Sequence, residues 1–388
     1  MKQAGSPFLD AENRPSLSEI TRRMAESAAQ IDEDAAFPHH TLSWLQQKGL
    51  CGLATAETFG GGGASLLELQ QVISAIAAGE PSTALIVCMH YLYHLRLRRH
   101  SHWPTDLLRR VSESAVTEGG LINSLRVEPD LGSPARGGLP HTLARRTATG
   151  WVLNGHKLYT TGIEGLHWLA VWARSDDEVP LVGSWLVPKS APGITVVPSW
   201  DHLGMRGTGS HEVILKDVTV PLSYAAEVHP FNAPPLFDSD AATATANANT
   251  ALLAAIYDAI ARSARDWLYQ WLRIRTPSGL GKPLATLPRV QEQAGQIEAL
   301  LLVNRTLLEQ AARDGLSHSE AELAKVTITD NAIQIVDLAL QLCGNHGLTR
   351  HNPLQRHYRN VLCGRIHTPQ KDSAWVTAGR QQLHSAAD

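Results

Sequence analysis

LINSLRVEPDLGSPARGG at residues 121–138, and WVLNGHKLYTTGIEGLHWLAVWARSD at residues 151–176, are the segments whose reading decides the fold. The apolar residues of WVLNG, KLY and HWLAVWA are rich in β-branched and aromatic types and are bounded by glycine and Asn-Gly. That pattern predicts two or three antiparallel strands joined by tight turns, with Asn154-Gly155 the strongest turn signal. Helical periodicity lies on both sides, so the chain reads as a mixed α+β protein.

Working outward towards the N-terminus, Ile20, Met24, Ala28 and Ile31 fall three to four residues apart after Ser16. A second helix through His40, Leu42, Leu45 and Gln46 stops at Gly49. Two more are expected over Ser65–Ala78 and Ser82–Leu97, the last ending in Arg96, Arg98, Arg99 and His100 as a solvated, cationic helix end. The glycines Gly60 to Gly63 lack a following Lys-Ser/Thr and read as a structural turn rather than a phosphate cradle. On the other side, HPFNAPPLFDSDAATATANAN reads as a connector or lid-like loop. Helices follow from Thr250, from Leu287 to about Arg313, from Ser319 to about Cys343, and after Thr368 or Pro369, which predicts a four-helix bundle. The expected division is a helical domain at 1–117, a β-domain at 118–222, a connector at 223–248 and a helical bundle at 249–388.

Composition bounds the function. Lys+Arg number 34 against Asp+Glu 37 with no basic run, which argues against nucleic-acid and membrane-surface partners. Cys51, Cys88, Cys343 and Cys363 are isolated and read as reduced thiols. The polar N-terminus carries no apolar segment, so a cytoplasmic protein is expected. His90 and His94 have the i, i+4 spacing of metal ligands, but no third ligand follows, and no metal is expected.

Three fragments together resemble the acyl-CoA dehydrogenase superfamily. Glu128-Pro129 with Gly132-Ser133 is similar to its T-E-P-x-x-G-S segment, and Gly155, Lys157, Tyr159 and Thr161-Gly162 to its G-x-K-x-W-I-T-N-G segment. His202 to Thr208 with Ser210 is similar to the L-G-x-R segment that closes its β-domain. The matches keep the family's order and nearly its spacing, and the resemblance covers almost the whole chain. It implies an N-terminal helical domain, a β-barrel-like middle domain and a C-terminal four-helix bundle, usually assembled as a homodimer or homotetramer.

The resemblance also implies a flavin, FAD or FMN. Carried over residue by residue, Ser124, Arg126 and Val127 fall at the isoalloxazine edge, and Tyr159, Thr160 and Thr161 at its aromatic wall. Val127 stands where a threonine usually donates a side-chain bond, so only its backbone could serve. Arg275 matches the arginine that reaches the pyrophosphate from a neighbouring subunit, with Pro277 to Gly279 inserted after it. Gln341, Gly344 and Gly347 match the turn near the adenine, and Pro288 replaces a contacting glutamine.

Acyl thioester dehydrogenation requires a carboxylate to take the α-proton. The family's C-terminal glutamate aligns with Thr368, and the alternative site falls at Asn249, beside Thr250 where an arginine is usual. The nearest carboxylates are Asp238, Asp240 and Asp372, the last expected as a helix cap. No basic cluster for the anionic coenzyme A is evident. His367-Thr368 followed by Gln370 instead resembles the H-T-x-H turn of dibenzothiophene-monooxygenase-like members, which take reduced flavin from a separate reductase. That branch implies His367 positioning the reacting oxygen, Ser133 or Asn123 anchoring it, and His90 with Tyr93 bordering the substrate cavity. The leading expectation is therefore a two-component flavin monooxygenase acting on a small apolar or aromatic substrate. The rivals are an acyl-CoA dehydrogenase or related thioester enzyme with a displaced base, served by an electron-transfer flavoprotein, and a non-catalytic flavin-binding partner subunit.

Overall fold

A computed structural model describes residues 14–100, 102–131, 138–233 and 238–384. The N-terminal region holds α1 (Leu17–Ala25), α2 (Ala28–Asp34), α3 (His39–Gln47), α4 (Leu66–Gly79), α5 (Pro81–His100) and α6 (Thr105–Thr117). Their starts follow from local chemistry. Ser16 caps α1 by accepting from the Glu19 N–H, and Ser65 and Glu68 form a reciprocal capping box at α4. The stop at Gly49 is real: its φ of 71° is a left-handed value that glycine adopts without strain.

The strands are β1 (Leu121–Leu125), β2 (Leu143–Arg146), β3 (Gly150–Thr160), β4 (Leu166–Ser175), β5 (Leu181–Pro188), β6 (Ile194–Val197), β7 (His211–Pro221) and β8 (Ala225–Pro230). They form one sheet in the order β6-β7-β3-β2-β4-β5-β8, with β1 alongside β4. The expected hairpins do not form: WVLNG and KLY are one strand, β3, and HWLAVWA belongs to β4. β2 and β3 pair antiparallel around a turn closed by Thr147 and Gly150, but β3 does not pair with β4, which lies between β2 and β5 and takes β1 in parallel.

Asn154-Gly155 is not a turn. It lies inside β3, opposite a bulge of β7 where Asp217 takes a φ of 52°. The Asn154 side chain fastens that bulge, donating to Asp217 Oδ1 at 3.1 Å and accepting from its N–H at 2.9 Å. Gly155 is there for space, since a Cβ would sit 2.3 Å from Thr142 Oγ1.

The segment expected as a connector is also largely regular. Ala225–Pro230 is the edge strand β8, and Asp238 caps α7 (Ser239–Asn249) by accepting from the Ala241 N–H at 2.8 Å. α7 continues through a π-helical turn, Thr250–Ala254, into α8 (Ala255–Ile274). Then come α9 (Pro288–Ala312), α10 (His318–Cys343), α11 (Asn345–Leu348), α12 (Leu354–Leu362) and α13 (Lys371–His384). A Ser317–Glu320 capping box starts α10.

One apolar core runs from the N-terminal helices through the sheet into α8 and α10. α5 is central: it packs on β1, α4, α7 and α8 and is buried on nearly every side. A helix so placed delivers the polar residues of its last turns into the interior. Among the described residues, no helix is long and apolar enough to cross a membrane.

Candidate active site

A cavity of about 210 Å³ opens between α5, β1 and α7. Its lining mixes apolar Met89, Leu92, Leu95, Ala244 and Ala248 with polar Tyr93, Arg96, Arg99, Asn123, Ser124, Arg126, Thr245 and Asn249. No carboxylate lines it among the described residues. The cationic end of α5, expected to be solvated, instead supplies two of its arginines. Arg96 is ion-paired to the buried Glu227 of β8 at 3.0 Å and lies 4.7 Å from the Tyr93 ring centre. Arg99 pairs with Asp314 at 2.9 Å. Arg98 lies to the side, donating to the Ala64 carbonyl at 2.9 Å. Arg126 adds a third cation, its guanidinium carbon over the Trp172 ring, 4.5 Å from the ring centre. The basic cluster not evident in the sequence is thus assembled from α5 and the end of β1. Burial raises the Glu227 carboxyl, and the facing Arg96, His102 and Arg126 oppose that rise.

Asn123 joins this cavity to the aromatic residues beyond it. Its Nδ2 donates to the Thr161 carbonyl at 3.0 Å and its Oδ1 accepts from the Ser124 N–H at 2.7 Å. Past the cavity, the Val127 carbonyl accepts from the Leu158 N–H, fixing the chain next to Tyr159. Tyr159 is 55% exposed and adopts a φ of 54°, a costly conformation for an aromatic residue. Its ring meets the edges of Trp200 and His202, which stack on each other 3.6 Å apart. Thr160 Oγ1 is buried without a partner, and Thr161 Oγ1 lies 3.0 Å from Ser210 Oγ. Ser133 lies outside the described residues.

The two expected histidines have different fates. His90 is wholly buried and does not line the cavity; its Nε2 contacts the Cys51 carbonyl at 2.9 Å and its Nδ1 accepts the Ile122 N–H at 3.2 Å. Those partners fix one neutral tautomer, with the proton on Nε2, and leave no nitrogen for chemistry. Among the described residues, no cluster of three or more metal-ligating side chains forms around it or elsewhere. Burial pushes the His90 pKa down to about 4. The unfolded chain therefore binds a proton that the folded chain refuses between about pH 6.5 and 4, so stability rises with pH across that window. Acidification from pH 7 to 5 is expected to cost about 2 kcal/mol through His90 alone. Urea titrations at the two pH values, compared for the wild type and His90→Gln, measure it; an unchanged pH slope in the variant would contradict the assignment.

His367 is held differently. Its carbonyl, with those of Gly364 and Pro369, accepts from the buried Lys325 ammonium at 2.5, 3.1 and 3.1 Å. Its ring lies 5.9 Å from that of Tyr257, and the buried Nε2 has no partner. Burial, then the Lys325 charge, lowers its pKa to about 4. At neutral pH it is an uncharged imidazole, able to position a partner through Nε2 but not to act as a stored acid. Thr368 is exposed, and the Gln370 carbonyl accepts from the Ala374 N–H to open α13. Asp372 stands in the first turn of that helix rather than at its cap.

Arg275, Gln341 and Gly344 come together at another place, one end of the helical bundle. Arg275 follows α8 and Gly344 ends α10 with a φ of 56°, while Trp271 faces His346 at 5.5 Å. Arg275, Gln341 and Gly344 are exposed, and Gln341 donates to Asp337.

Glu128 and Lys157, from two of the sequence fragments, form a buried ion pair at 2.6 Å. Glu128 also accepts from the N–H groups of His141 and Thr142 and from the Thr142 hydroxyl. Burial alone would raise its pKa, but Lys157 and Thr142 outweigh that and hold it low. These motif residues clamp the end of β1 to β3 and set where Arg126 and Tyr159 stand.

The sequence matches the acyl-CoA dehydrogenase N-terminal domain over residues 15–100, the middle domain over 126–218 and the C-terminal domain over 240–368. The chain belongs to the acyl-CoA dehydrogenase superfamily. A relative described as putative acyl-CoA dehydrogenase YdbM, from Bacillus subtilis, is 31% identical over 369 residues, covering 93% of each chain. KijD3 in complex with FMN and a dTDP-linked amino keto sugar superposes with a TM-score of 0.80 at 25% identity, covering 98% of this chain and 97% of that one. Methanesulfinate monooxygenase MsuC from Pseudomonas fluorescens has the same fold, with a TM-score of 0.82 at 20% identity over 95% and 96% of the two chains. Members of the superfamily are flavin-dependent oxidoreductases, and acyl-CoA dehydrogenases use FAD.

The residues present fit a flavin. Tyr159 presents an aromatic face on a strained backbone, and buried polar atoms of Thr160 and His367 lack partners. The residues that sequence reasoning missed are Glu227, Trp172 and Lys325. Each is one half of a contact whose other half lies more than 30 residues away, so no local pattern marked them.

Proposed function

We propose that this chain is the oxygenating component of a two-component flavin monooxygenase acting on a small substrate held in the Arg96–Arg126 cavity. The observation that carries the reading is the absence of a carboxylate from the cavity wall among the described residues, where a dehydrogenase needs one to take the α-proton. The displaced candidates do not supply it: Asp238 is a helix cap, and Asp240 and Asp372 are exposed in first turns. Glu227 stands behind Arg96 and is neutralised by it.

In this reading Tyr159, Thr160 and Thr161 with Ser124 and the Val127 backbone would hold the flavin ring, while Arg126, expected at the isoalloxazine edge, would serve the substrate cavity that it lines. The bound reduced flavin supplies two electrons to O2, one oxygen atom entering the substrate and the other leaving as water. Neutral His367 positions the reacting oxygen through Nε2, Asn123 keeps the β1 wall in register with Thr161, and α5 and α7 exclude water. Arg275, Gln341 and Gly344 would serve the adenine end of FAD in a neighbouring copy, and a separate reductase would supply the electrons.

The test is turnover with reduced FMN or FAD, 18O2 and a panel of small aromatic substrates. Label in the product is expected, with a loss of ten- to a hundredfold in His367→Ala. The match to a putative acyl-CoA dehydrogenase favours a second reading, a thioester dehydrogenase; anaerobic bleaching of bound flavin by a mixed acyl-CoA pool would establish it and overturn the first.

A further inference from the structure

We infer that the cavity selects a substrate carrying a single oxyanion, a carboxylate or sulfinate, on an apolar body no larger than about one ring. The inference rests on the reading of this cavity as the substrate site. Three arginines line it, and two are answered by carboxylates, Arg96 by Glu227 and Arg99 by Asp314. Arg126 has no carboxylate within ion-pair distance among the described residues, so the cavity retains one positive charge.

The placement of that charge suits an anion. Arg126 lines the cavity with its guanidinium carbon 4.5 Å from the Trp172 ring centre, and the N–H fork of a guanidinium matches a carboxylate two bonds at a time. Arg96 is fixed by Glu227 and Tyr93 and cannot swing away to solvent. Burying these cations costs desolvation energy that a bound anion recovers. Among the lining residues, Met89, Leu92, Leu95, Ala244 and Ala248 have side chains that offer no hydrogen bonds and suit a hydrocarbon. The volume gives room for a small body: about 210 Å³ compares with roughly 150 Å³ for an apolar cavity that takes benzene. A ring plus one anionic group fills it.

The experiment is calorimetric titration of the purified protein with benzoate, benzenesulfinate and the neutral isostere benzamide, repeated on Arg126→Met and Arg126→Lys. Benzoate or benzenesulfinate is expected to bind ten- to a hundredfold tighter than benzamide, with the stronger of the two naming the oxyanion. Arg126→Met is expected to abolish that preference and Arg126→Lys to keep part of it. Equal binding of benzoate, benzenesulfinate and benzamide to the wild type overturns the inference even if Arg126→Met fails to fold, and so does a preference that survives in folded Arg126→Met. Because the readout is binding, an anion preference without oxygenation refutes the proposed reaction alone, whereas oxygenation of neutral substrates without anion preference refutes this inference alone.

Discussion

Lys157→Met is expected to destabilise the protein by about 3–5 kcal/mol, a large fraction of the stability of an ordinary domain. Lys157 is 0% and Glu128 2% exposed at the side chain, so removing the cation strands a carboxylate in the interior. Water cannot reach it, and the Thr142 and His141 donors satisfy its lone pairs without neutralising its charge. Burial already depresses the Lys157 pKa to about 8 against the pull of Glu128, which shows how costly each charge is alone. The pair Glu128→Gln with Lys157→Met should therefore be more stable than Lys157→Met by itself. Urea denaturation of the two single variants and the double measures the coupling. Additive costs, or a single-variant loss under about 1 kcal/mol, would show that the pair does not clamp β1 to β3.

Lys325→Met is expected to cost about 3 kcal/mol or more, because it leaves the carbonyls of Gly364, His367 and Pro369 without their shared donor. If His367 serves as proposed, the effect would reach turnover through the loop that those carbonyls hold. Turnover should fall with kcat affected more than KM, since the loop positions His367 while the cavity wall is left intact. The His367 pKa should also rise from about 4, because the Lys325 charge is the second cause of its depression, yet stay below 6.5, because burial is the first. An NMR titration of the His367 ring reads this directly. A stability loss with an unmoved His367 titration would make Lys325 a structural residue only.

How far the sequence reached differs by element. Several helices were legible because periodicity is local, but their caps were not read: Ser65 with Glu68 and Ser317 with Glu320 form capping boxes, while the expected cap Asp372 lies inside the first turn of α13. The family resemblance assigned Ser124, Arg126 and Tyr159 to a flavin and Asn123 to the reacting oxygen, and the fold links their segments through Asn123 to Thr161 and Val127 to Leu158. The roles proposed for these residues rest on that geometry.

What the sequence determined by itself was the class of fold and the family, since helical periodicity and the three fragments of the β-domain each depend on residues close together in the chain. Only the tertiary structure decided where charge and strain were placed. Asn154-Gly155 became strand because β7 lay opposite with a bulge to receive it. Arg96 turned from a solvated helix end into a cavity wall because Glu227, 131 residues on, lies beside it. His90 lost its chemistry to two backbone groups on separate segments. In each case a polar group is paired with a distant partner, buried for Arg96 and His90 and exposed for Asn154, and no short-range pattern contains both halves of that contact.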